Sequence, residues 1–296
     1  NRNKKMAIEI ERIEAPSVDD FYENYLALEK PVIITGVVNK WPAFNKWTAD
    51  YLKNNTGDRL VPITTIIDGD YCNTTRSDMK LSEYIDYLQS GRQEARKKLY
   101  LSELPVNKYF KDLEQEMIIP DYFNRKEGSP KSFFYVGKDN FSQLHFHEHG
   151  SAVNCMLYGE KFFRLYPPSE TKYLYKYPWY SKLRNMSRTT SLIPDPNEFP
   201  EFRKAKYYDV VLKAGEMLFI PIYWWHAIQN HAINIATVTF WGRDSWYRYP
   251  PPGMRLVFYY IFIQEFPALL KSIPERIQNR VNKFFSARNR TGKNRI

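Results

Sequence analysis

The sequence predicts a mainly β domain of the sandwich or jelly-roll kind, with helical additions at both ends. Three observations carry this. Short apolar segments recur between glycine and proline punctuation at 31–36, 132–137, 162–166, 207–212, 216–221 and 232–241. The aromatic share is 17%, with 23 tyrosines and 19 phenylalanines, which suit a pleated surface better than bundled helices. Three of the five histidines, His145, His147 and His149, stand at every second position, the period of a strand.

In chain order, Ser17 caps a helix over 18–28 in which Phe21, Tyr25 and Leu28 share one face. Residues 31–36 form a strand ending in a turn, and Trp41, Phe44 and Trp47 make an aromatic packing knot. A helix over 49–54, a strand over 61–67 and a helix marked by Leu81, Tyr84, Ile85 and Leu88 come next. Residues 93–98 are charged and exposed, 110–117 read as a helical run, and 126–131 as a loop. The strand at 132–137 leads to the histidine segment, and the strand at 162–166 is stopped by Pro167 and Pro168. The stretch 169–206 lacks periodicity, as lids and binding surfaces do. Strands at 207–212, 216–221 and 232–241 complete the β pattern.

Beyond Pro252 a mostly apolar helix over 254–270, interrupted at Pro267, precedes an amphipathic basic one over 273–285. The first is too short, and too polar at Gln264 and Glu265, to cross a membrane, and reads as a packing helix that would serve a homodimer. The expected organisation is an N-terminal helix and strand region (1–130) that extends the β core, the core itself (131–245), and a helical C-terminal extension with a basic tail (246–296).

At 296 residues and 43% hydrophobic content, the chain can bury a full core. Two cysteines, Cys72 and Cys155, exclude a disulfide framework. Much of the net charge of +10 comes from the tail, where Glu275 is the sole acid beyond Leu269. A solvated tail is the plain reading, and docking to nucleic acid or an anionic membrane is the sharper one; no RNA-binding signature or zinc-finger spacing supports the latter. Glycosylation acceptors at Asn54, Asn73, Asn140, Asn185 and Asn289 point to a secretory compartment, with a cytoplasmic or nuclear location as the alternative. The charged first residues do not read as a signal peptide.

Imidazole is the commonest side-chain metal ligand, and clustered histidines joined by a distant one can hold a metal while leaving coordination positions open. The distant candidate is His226, beside Trp224 and Trp225 after an apolar strand and Pro221. A metal there would sit in a dry pocket.

The residues at 30–36 (Lys-Pro-Val-Ile-Ile-Thr-Gly), 118–123, 142–168 and 215–226 together resemble the JmjC-type (Jumonji, cupin-like) family of iron and 2-oxoglutarate oxygenases, from about Pro31 to Trp241. That resemblance implies a double-stranded β-helix, Fe(II), 2-oxoglutarate as cosubstrate, and hydroxylation of a protein or peptide side chain or an RNA base. The family holds iron with His-x-Asp or His-x-Glu and a distant His. Here no acid stands two residues after any histidine.

Two placements compete. In one, Ser142-Gln143-Leu144-His145-Phe146-His147 matches Thr-Pro-Leu-His-x-Asp, with His147 in the carboxylate place and Ser142 meeting the cosubstrate. In the other, His147-Glu148-His149-Gly150 matches the His-x-His-Gly of a sub-group similar to the Jumonji-domain protein of the endoplasmic reticulum lumen. The second is preferred, because Asn154 then falls where related hydroxylases place a cosubstrate-contacting Asn. Its ligands are His147, His149 and His226, with His145 as the alternate. Under the resemblance Lys161 pairs with the distal carboxylate of 2-oxoglutarate, and Thr237 and Thr239 line the cosubstrate pocket. Three imidazoles and an open position describe zinc equally well, so a different metal-dependent activity and a catalytically silent scaffold stand as alternatives.

Overall fold

The computed structural model describes residues 9–241, except 92, 93, 95, 124–129, 149, 179 and 180. The expected C-terminal helices over 254–285 lie outside the described residues. By internal contacts one unit comprises Asn1–Tyr177 and Leu183–Asp244, and the other comprises Pro178–Lys182 and Ser245–Ile296. The first unit contains every described strand.

Its N-terminal part supplies β1 (Arg12–Glu14), β2 (Val32–Thr35), β3 (Leu60–Ile67), β4 (Asp70–Lys80) and β5 (Lys97–Pro105). Eight more strands come after them: β6 (Lys131–Gly137), β7 (Asn140–His145), β8 (Ser151–Tyr158), β9 (Glu160–Tyr166), β10 (Tyr208–Lys213), β11 (Met217–Ile220), β12 (Trp225–Asn230) and β13 (Asn234–Trp241). These eight wind between two sheets. The small sheet has the order β10-β9-β12-β7, and β11-β8-β13-β6 forms the centre of the large one. This is the jelly roll that the punctuated strands predict. The N-terminal strands extend the large sheet at both edges, β1-β2 beside β11 and β5-β3-β4 beside β6.

Alternation along the large sheet decides which side chains face the small sheet. On β8, Val153, Cys155 and Leu157 enter the core on the outer face, while Met156 joins the core between the sheets. On β13, Ile235 and Trp241 face outward and Ala236 inward. The outer face is covered by Phe21, Leu52, Tyr84, Ile85 and Leu88 from the N-terminal helices, together with Trp41 and Trp47 of the expected aromatic knot. One face is thereby sealed, and the other is left for a site.

Two of the described α-helices start at a side-chain cap. Ser17 Oγ accepts from the Asp20 N–H at 3.1 Å, and Thr48 Oγ1 accepts from the Tyr51 N–H at 3.1 Å ahead of Ala49–Thr56. The first helix is α-helical only over Val18–Phe21 and continues as a π-helix over Tyr22–Leu26. The helical run expected over 110–117 is instead a short 3-10 turn at Glu114–Glu116. Glu116 accepts from Trp47 Nε1 at 2.6 Å and from Lys46 Nζ at 2.7 Å, so tertiary bonds override local propensity there. Strand β4 has no local signature because its residues are polar; pairing with β3 makes it a strand.

Gly159, at φ +74°, turns β8 into β9, and a Cβ there would lie 2.5 Å from the Ile233 carbonyl oxygen. Gly159→Ala should therefore destabilise the protein by more than the ~1–2 kcal/mol of a left-handed backbone alone. Urea denaturation checks this; a change below ~0.5 kcal/mol would show that the turn tolerates a side chain.

Candidate metal and cosubstrate site

The last residue of β7 is His145, which stands opposite His226 on the antiparallel β12. The strand does not run on through His147, as simple alternation suggests. His147 lies two residues beyond the strand end, where its carbonyl accepts from the Tyr223 N–H at 3.1 Å. Ring centroids are 4.3 Å apart for His145 and His226, 4.6 Å for His147 and His226, and 5.3 Å for His145 and His147. One ligand nitrogen from each lies within 4.8 Å of the others. His149, a ligand in the preferred placement, lies outside the described residues. The described geometry gathers the trio in which His145 is the first histidine and His147 takes the carboxylate place.

Two of these rings have their tautomer set by the backbone. His145 Nδ1 is 2.7 Å from the Gln143 carbonyl oxygen and His226 Nδ1 is 3.1 Å from that of Trp224. A carbonyl only accepts, so Nδ1 carries the proton and Nε2 keeps its lone pair. Burial pushes the pKa of His145 below the ordinary histidine value. His147 and His226 fall well below it, through burial first and then the neighbouring imidazoles. Three neutral imidazoles with lone pairs in close reach are a donor set that fits a divalent transition metal.

The same residues open on a cavity of about 250 Å³. Ser142, Asn154 and Lys161 line it, as the resemblance implies, together with Tyr71, Tyr100 and Tyr135. Lys161 is 1% exposed, and its ammonium lies 5.2 Å from the centroid of the Tyr135 ring. Among the described residues it has no ion pair, and burial pushes its pKa down to about 7. A buried lysine without a counter-charge is costly unless an anion joins it, so the chemistry of this wall fits a carboxylate ligand. The Tyr71 hydroxyl donates to Ser142 Oγ at 3.1 Å, which ties the start of β4 to the cavity.

Thr237 and Thr239 are not brought to the cavity. Val238 and Phe240 of the same strand line it, so period-2 alternation turns the threonines to the opposite face. There Thr237 stands opposite Cys155, and Thr239 Oγ1 lies 2.9 Å from Ser132 Oγ. Of the glycosylation acceptors, Asn140 is 2% exposed and accepts from Asn230, and Asn185 donates its amide to the Phe146 carbonyl. Neither side chain is available to a glycan in this fold.

Sequence reading missed Tyr71, Tyr100, Tyr135, Asn185 and Met186 as cavity residues. For Tyr135 a signal exists: it alternates with Phe134 and Val136, which enter the outer core. For Tyr71 and Asn185, on segments with no readable period, there is none.

A cupin-like domain family matches residues 18–246. The chain belongs to the JmjC-type cupin-like family. It is 32% identical over 243 residues to Lysine-specific demethylase 8 of Danio rerio (79% of this chain, 58% of that protein) and 30% identical over 238 residues to its Xenopus tropicalis namesake (78% and 52%). It is 26% identical over 277 residues to the human Bifunctional peptidase and (3S)-lysyl hydroxylase JMJD7 (76% and 81%). The chain thus spans little more than half the length of the demethylase-named relatives. JmjC-type proteins work with Fe(II) and 2-oxoglutarate, and in this member Lys161 lines the cavity beside the three histidines.

Proposed function

We propose that this JmjC-type chain is an Fe(II)- and 2-oxoglutarate-dependent oxygenase that hydroxylates a protein or peptide side chain. His145, His147 and His226 hold the metal, and Lys161 holds the distal carboxylate of 2-oxoglutarate. One observation carries this reading: a single cavity joins three neutral imidazoles to a buried lysine that forms no ion pair among the described residues. Bound iron would supply the coupling of 2-oxoglutarate decarboxylation to oxygen insertion at a C–H bond. The chain's own residues do the rest. His145 and His226 bind through Nε2 while their Nδ1 protons fix ring orientation, His147 adds a third ring nitrogen, and Lys161 neutralises the anion that enters beside it.

Replacing the family's carboxylate by His147 removes one negative charge next to the metal, and a dianionic cosubstrate restores it. The name of the human relative, a lysyl hydroxylase, supports a protein side chain as the acceptor. A second reading, a zinc-holding binding protein, is favoured by the all-imidazole donor set.

Anaerobic reconstitution with Fe(II), followed by calorimetric titration of 2-oxoglutarate and assay of succinate release in air, separates the two. The oxygenase reading expects saturable binding that requires iron, and slow succinate formation even without substrate. Tight zinc retention with no 2-oxoglutarate binding in the iron form would overturn it.

A further inference from the structure

Strand β7 ends at His145, so the sheet ladder that fixes the first histidine gives no support to the residues that aim His147. A short segment of the long insertion takes over that task. His145 forms an antiparallel bridge with Met186, and the Ser187 N–H donates to the Leu144 carbonyl at 2.8 Å. Gln143 Nε2 donates to the Ser187 carbonyl at 2.8 Å. One step further on, both backbone groups of Phe146 are captured by a single residue. The Phe146 N–H donates to the Asn185 carbonyl at 3.0 Å, and Asn185 Nδ2 donates to the Phe146 carbonyl at 3.0 Å.

Phe146 is the one residue between His145 and His147. Its ring is seated 4.6 Å from that of Trp225, and the adjoining Glu148 and Arg184 form a buried ion pair at 2.8 Å. Asn185 and Met186 also line the cavity.

We propose that Asn185 is a positioning residue for the metal centre. Its two bonds to the Phe146 peptide groups set the turn that brings His147 against His226. The inference rests on the reading of the three histidines as a metal site. Loss of the Nδ2 donor leaves the Phe146 carbonyl without its partner and loosens the Phe146–His147 peptide on the side not held by the Tyr223 N–H, while all three imidazoles stay in the chain. Outer partners that orient a ligand carry about 10–100-fold in metal affinity.

The test compares the wild-type chain with Asn185→Ala, using Co(II) as probe, titrated in competition with a chelating dye and read by its visible d–d bands. The expected result is Co(II) affinity about 10–100-fold weaker in the variant, with shifted band positions and an unchanged far-UV circular dichroism spectrum. Equal affinity and identical bands in the two proteins would overturn the positioning role while leaving the metal site standing. If the wild type binds no Co(II) or Zn(II), the metal-site reading falls, and this inference falls with it. Should Asn185→Ala fail to fold, hydrogen exchange on the wild type decides. Zn(II) should slow the Phe146 and Ser187 amides together, and slowing confined to residues outside 144–147 and 185–187 counts against the inference.

Discussion

Lys161→Met abolishes 2-oxoglutarate binding and, in the same protein, raises the stability of the ligand-free state. The two effects have one cause. In the free protein the ammonium is buried without an ion pair among the described residues, and burial pushes its pKa down to about 7 from the ordinary lysine value of 10.5. The folded state therefore binds this proton less well than the unfolded chain. Between pH 7 and 10.5 the unfolded chain carries more protons, so this group's cost to stability shrinks as pH rises and is largest below pH 7. Methionine fills similar space without charge, and replacing costly buried charges by apolar groups stabilises by about 1–4 kcal/mol. Thermal unfolding of the ligand-free proteins at pH 6.5 and 9 measures this, with the larger gain expected at the lower pH.

The same titration governs cosubstrate binding. Only the protonated lysine pairs with a carboxylate, so wild-type affinity for 2-oxoglutarate should fall by about tenfold per pH unit above 7, until the pKa of the complex is reached. Lys161→Met should show no such slope, because it binds nothing. A variant that keeps 2-oxoglutarate affinity within about threefold of wild type would remove Lys161 from the site.

His145→Ala and His226→Ala each reduce metal affinity by more than about 100-fold, whereas His149→Ala leaves it within about threefold. The basis is geometric: the facing positions on β7 and β12 put the His145 and His226 rings 4.3 Å apart, and His147 closes the group. His231, exposed just past the far end of β12, is the control and should have no effect. Metal content after reconstitution and dialysis gives the answer. If His149→Ala loses metal and His145→Ala keeps it, the ligand register shifts by two residues to the His147-Glu148-His149 placement.

Legibility in the sequence tracks the range of the interactions involved. The β class, the helix capped at Ser17, the helix starting at Ala49 and the buried face of Leu81–Gln89 depend on neighbours a few residues apart, and local pattern displays them. The motif from Ser142 to Pro168 points to Ser142, His147, His149, Asn154 and Lys161, with His145 as the alternate ligand; Ser142, His145, His147, Asn154 and Lys161 meet at the cavity wall, and His149 lies outside the described residues. Strand β4 and the short turn at Glu114–Glu116 escape local pattern because partners far along the chain decide them.

By itself, then, the sequence determined which kinds of side chain are available: a mainly β chain with three clustered histidines, one distant histidine beside tryptophans, and a lysine on an alternating strand. Only the tertiary structure decided which of them converge. Where β7 stops, which residue of β12 faces His145, and which face of β13 carries Thr237 are set by hydrogen-bonded register between strands distant in sequence. The two-residue period that places a side chain on one face or the other is local, but its phase is fixed only when the strand finds its partners.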